Sequence, residues 1–103
     1  MSNGRYILKR HEAVLCDDLL EWATAFEDGK SRIVCRTTIG DSDVSTVFLA
    51  LDHQWGDGPP LLFETMVFGG PLDQEQERYA TWEEAEAGHA SMVERVNSSK
   101  ITV

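Results

Sequence analysis

Asp52 and His53 stand side by side where an apolar run enters a loop, and this pair is the chain's best candidate for acid–base chemistry. A carboxylate next to an imidazole can orient the ring and bias where its proton sits. Neighbours on a regular strand point to opposite faces, so the two can touch only where the strand has already broken. Glu64 lies on the next apolar run, and a hairpin register setting 52 against 62 would place it diagonally beside Asp52. Asp52, His53 and Glu64, assisted by His11 or His89, are therefore the candidate catalytic cluster. The alternative is an aspartate that fixes the loop and a surface histidine.

Glu86 and His89 have the E-x-x-H spacing used in di-metal helical bundles, which makes His53, His89 and Glu86 the candidate metal ligands. Such bundles need two of these motifs and further carboxylates, and the chain has one motif. A core histidine with satisfied hydrogen bonds is the better reading of His89, with burial favouring its neutral form. No metal or other cofactor is expected. The segment Gly56-Asp57-Gly58 lacks the lysine and following helix of a phosphate loop. Trp55, between the histidine and the glycines, is either folded onto the core or presented as a binding anchor. Cys16 and Cys35 have no CxxC context and read as reduced, small core residues.

The elements that must position these groups follow from periodicity. Residues 6–8 read as a short strand and 13–16 as a possible second. Asp18 caps a helix over 18–28 with Glu21 at capping-box spacing, and Leu19, Trp22, Ala23 and Phe26 form its apolar face. Gly29 ends it. Residues 31–39 are rich in β-branched side chains, and a turn at 40–43 leads to a strand over 44–52. The loop 54–60 is long for a hairpin, and a strand over 61–68 returns. Gly69-Gly70-Pro71 stops it, and an acidic linker leads to a helix over 82–97. Thr81 and Glu84 form a capping box there, and Trp82, Ala85, His89, Met92, Val93 and Val96 make the buried stripe. Gly88 inside this helix predicts a close approach to the sheet. The fold class is α+β: one domain over 1–103, an antiparallel sheet of three to five strands, and two helices on one face. Trp22, Phe26, Phe48, Leu49, Phe63, Met92 and Val96 are the predicted core. The ends, 1–4 and 97–103, are expected to fray.

Nine basic and eighteen acidic side chains give a net charge of −9 over 103 residues. Such a surface repels nucleic-acid phosphates, so direct nucleic-acid binding is not expected. The acids concentrate in the stretch from Asp73 to Glu86. Trp55, Asp57, Asp73, Glu75, Glu77, Glu83 and Glu84 are the candidate binding residues, either a solvated face or a patch that docks on a basic partner. No apolar run approaches membrane-spanning length and residues 1–15 lack a signal core, so a cytoplasmic protein is expected. Residues 44–51 are apolar on both faces, which predicts a homodimer using 44–51 or 61–68.

The runs VSTVFL (44–49), LDH (51–53), GPPLLFET (58–65), FGG (68–70) and TWEEA through GH (81–89) resemble a family of small proteins of tailed bacteriophages and prophages. No activity comes with that resemblance. It implies a phage accessory protein acting in the cytoplasm of an infected bacterium. Its function would be non-enzymatic binding that modulates a host or anti-phage defence protein. The alternatives are the small acid–base or metal enzyme described above, or a binder of a small signalling molecule.

Overall fold

The computed structural model describes residues 4–27, 32–54 and 56–101, in the order β1 (Tyr6–Lys9), β2 (Glu12–Leu15), α1 (Leu19–Glu27), β3 (Ile33–Ile39), β4 (Ser42–Phe48), β5 (Phe63–Phe68), β6 (Gln76–Tyr79) and α2 (Trp82–Ile101). All strand pairings are antiparallel, in a two-stranded sheet β1-β2 and a four-stranded sheet β3-β4-β5-β6. This is the predicted α+β class with a sheet inside the predicted size range.

Burial alternates strictly along the central strands, as a sheet with one covered face requires. Ser42, Val44, Thr46 and Phe48 of β4 are buried, as are Phe63, Thr65 and Val67 of β5. These side chains face α2, which packs across all four strands. Ala85, His89, Met92 and Val96, spaced three and four residues apart, are the helix's buried stripe. Its cap forms as the sequence predicts. Glu84 Oε1 accepts the Ala80 and Thr81 N–H groups, and the Glu84 N–H donates to Thr81 Oγ1 at 3.1 Å. The opposite sheet face carries the ion pairs Arg36–Asp43 and Arg78–Glu64 among half-buried Val47 and Met66.

The β1–β2 hairpin is stitched to the chain beyond β4 rather than to the main sheet. Tyr6 N–H donates to the Ala50 carbonyl at 2.8 Å, and Arg5 bridges Leu51. Helix α1 sits against β1, and its Trp22 packs on the cluster of Phe48, Ala50, Leu62 and Phe63 that Ala85 of α2 also joins. Asp18 caps α1, with Oδ1 accepting Leu20 N–H at 3.0 Å and Glu21 N–H at 3.1 Å. Trp22 anchors it through Nε1 to the Ala50 carbonyl at 3.2 Å.

Several expectations are corrected. Phe26 is exposed, capped by the Arg32 guanidinium at 4.2 Å, while half-buried Trp22 is the side chain that α1 packs against the core. Cys35 is exposed on edge strand β3, while Cys16 is buried as predicted. β4 ends at Phe48 rather than 52, since Ala50 takes a left-handed φ of 66° that breaks the ladder. The acidic linker contains β6, whose exposed Gln76, Glu77 and Arg78 suit a sheet edge. Helix α2 runs to Ile101 rather than ending at Asn97. The helix stop at Gly29 and the placement of Trp55 lie outside the described residues.

Gly88 does allow the close approach expected of it. A Cβ there would stand 2.2 Å from Tyr79 Cζ and Oη. Gly88→Ala gains helix propensity of about 1 kcal/mol but must push the tyrosine ring off the helix. The expected net result is a loss of roughly 1–2 kcal/mol in urea unfolding. Adding Tyr79→Ala should convert the Gly88→Ala step from destabilising to neutral or stabilising, because the obstructing ring is gone.

Candidate functional site

The predicted catalytic cluster does not assemble. Asp52 Oδ1 accepts the backbone N–H groups of Gln54 at 2.8 Å and Leu61 at 3.0 Å, so this carboxylate holds the two ends of the loop together. His53 N–H donates to the Leu61 carbonyl at 3.0 Å. The register β4–β5 sets Glu64 opposite Val47, not near 52, and Glu64 Oε2 accepts from Arg78 Nε at 3.0 Å. The expected pairing of 52 with 62 fails because the ladder sets Phe48 against Phe63, so that Leu49, whose N–H donates to the Leu62 carbonyl, stands where Asp52 was expected. Asp52 therefore has the loop-fixing role that was the alternative reading.

His89 is a core residue, 4% exposed, with both ring nitrogens engaged. Nδ1 lies 2.7 Å from Thr46 Oγ1 and Nε2 lies 2.9 Å from Thr37 Oγ1, while Thr46 in turn bonds Thr65. Burial holds its pKa below the ordinary 6.5. Glu86, one turn before His89, is exposed, while both His89 nitrogens are already engaged by threonines, so the E-x-x-H motif does not converge. Among the described residues no three His, Cys, Asp or Glu side chains are grouped to hold a metal.

The acidic candidates divide into two kinds. Asp73 Oδ1 accepts Gly69 N–H at 2.6 Å, Glu75 pairs with Arg95 at 2.7 Å, and Glu84 closes the α2 cap. Their positions are explained by local structure. Asp57, Glu77 and Glu83 are exposed. A second acidic surface was not singled out by sequence. Leu19 and Leu20 on α1 are 60% and 77% exposed, and the exposed Asp17, Asp18 and Glu21 surround them in the chain. The signal was present in the D-D-L-L-E run, but helical spacing assigned Leu19 to a buried face.

A groove of about 670 Å³ opens between the β1–β2 tip and the start of α2, walled by Pro59 and Pro60 and floored by Tyr6, Leu62 and Phe63. Its size is that of a small-molecule site. His11 lies flat on the Trp82 indole, with ring centroids 3.9 Å apart and an interplanar angle of 4°. Phe63 meets the same indole edge-on at 6.2 Å. Trp82 Nε1 is buried with no hydrogen-bond partner among the described residues, an arrangement that costs about 1–3 kcal/mol. Lys9, Arg10, Glu12 and Glu83 supply charge of both signs to the lining. Arg10 holds a left-handed φ of 61° in a two-residue hairpin tip, where glycine is the relaxed choice. The legible signal was Arg10-His11 as the tip between two short apolar strands.

No family model, curated protein or solved structure matches the chain. No helix among the described residues is long and apolar enough to cross a membrane.

Proposed function

We propose that this is a non-enzymatic accessory binding protein of a tailed phage or prophage that docks on a host or anti-phage defence protein through an acidic surface. The observation that carries the reading is α1. No residue of this nine-residue helix is fully buried, and next to half-buried Trp22 the chain presents exposed Leu19 and Leu20 beside Asp17, Asp18 and Glu21. Exposed leucines among carboxylates fit a partner surface with an apolar recess rimmed by lysine or arginine. The net charge of −9 steers the chain to such a partner. The acid–base and metal readings receive no support from the separated positions of Asp52 and Glu64.

The double variant Leu19→Ser, Leu20→Ser tests the reading. Both side chains are exposed, so thermal stability should change by no more than about 0.5 kcal/mol each. Protection of phage in defence-bearing cells, and co-purification of the host protein retained by the unmodified chain, should both be lost. Retention of both activities by the double variant would count against α1. An unmodified chain that retains no partner and changes no defence phenotype would remove the whole reading. Sedimentation of the same samples identifies a second copy as the partner if the unmodified chain is a dimer and the variant a monomer.

A further inference from the structure

We propose that the groove between the β1–β2 tip and the start of α2 binds a small, flat heteroaromatic molecule carrying one anionic group, with a nucleoside monophosphate as the representative chemistry. Three independent features converge there. The first is the stack. A flat unsaturated ring already rests on the Trp82 indole, supplied by His11 from a turn that carries no core packing. A ligand ring can take the place of this exposed imidazole on the same face, with Pro59 and Pro60 as the flanking wall.

The second feature is the unpartnered indole N–H of Trp82. A ligand substituent reaching the indole edge, in the ring plane where the N–H points, supplies an acceptor that the described residues lack. The third is the chemistry of the tip. Arg10 keeps a full side chain at a positive φ where glycine would relieve the backbone. Lys9 and Arg10 offer two cations from one hairpin end of a strongly acidic chain, while Glu12 and Glu83 also line the groove. A bare anion uses only the cations and a hydrocarbon uses neither sign. A nucleobase uses both, its amino edge donating to a carboxylate while the phosphate meets Lys9 and Arg10.

Titration of the isotope-labelled full chain with AMP, GMP, CMP and UMP, followed at the Trp82 indole N–H resonance, tests the proposal. Trp82→Phe assigns that signal among the three tryptophans. At least one of the four nucleotides should move it saturably. Its parent nucleoside should bind about tenfold more weakly or worse, and ribose phosphate should leave the signal unmoved. Arg10→Gly should keep or raise the melting temperature while weakening nucleotide binding by about tenfold. A Trp82 signal indifferent to all four nucleotides at about 10 mM overturns the site. Equal binding of nucleoside and nucleotide, or unchanged nucleotide affinity in Arg10→Gly, overturns the anionic part of the assignment.

Discussion

His89→Ala is expected to be among the most damaging single substitutions in this protein, at about 2–4 kcal/mol. The imidazole is 4% exposed and joins α2 to β3 and β4 through Thr37 and Thr46. Alanine removes both hydrogen bonds, leaves a cavity between helix and sheet, and strands the Thr37 hydroxyl. Thr46 keeps its bond to Thr65. In a domain of this size such a loss lowers the melting temperature by roughly 10–25 °C. A loss under about 1 kcal/mol in urea unfolding would show that the threonines find other partners at little cost.

The same residue sets a pH dependence with a definite sign. Burial lowers the His89 pKa in the folded state below the ordinary 6.5. Between the two values the unfolded chain binds the proton and the folded chain does not, so stability rises with pH. The contribution is fully present above 6.5 and is lost as pH falls from there towards the folded value. His89→Gln retains polar groups without titrating. Its stability should therefore fall less than that of the unmodified protein between about pH 7 and pH 5. Parallel losses in the two proteins would show that His89 does not set the pH dependence.

How far the fold was legible follows from the kind of signal each part carries. The stripe Ala85, His89, Met92, Val96 is a helical-period pattern that was legible, whereas β4 read as apolar on both faces and its strict alternation of burial emerges only from the packing of α2 on one of them. The caps at Asp18 and Thr81 are local chemistry and were legible for that reason. What failed was non-local. The helical spacing of Leu19 and Phe26 says that a face exists, not that any core lies opposite it. β6 was hidden because an exposed edge strand of Gln, Glu and Arg has the composition of a linker. The register that separates Asp52 from Glu64 is set along Asp43–Phe48, where Val47 and not Ala50 faces Glu64, and a run apolar on both faces does not announce its register. The groove depends on residues 9–13, 59–63 and 80–83 meeting in space, and only the glycine-free hairpin tip marks it locally.

Gly69→Ala is the second substitution expected to have a large effect, and it carries its own control. Gly69 sits at φ 83° where β5 ends, and a Cβ would stand 2.3 Å from the carbonyl oxygen of Asp41. That oxygen belongs to the backbone of the β3–β4 turn, so no side chain can swing aside. Gly69 is held from both directions: its N–H donates to Asp73 Oδ1 at 2.6 Å and its carbonyl accepts from buried Ser42 Oγ at 3.2 Å. An alanine must therefore displace either the turn or the end of β5, in addition to the left-handed penalty of about 1–2 kcal/mol. The expected total is roughly 3–4 kcal/mol. Gly56 has a similar φ of 95°, yet nothing lies within 4 Å of the Cβ it would gain. Gly56→Ala should then show the backbone penalty alone, about 1–2 kcal/mol or less if the loop adjusts. The difference between the two variants measures the cost of pushing two β-turns apart. Equal losses in urea unfolding would mean that the Asp41 carbonyl yields freely and that the two turns are not packed as tightly as their separation implies.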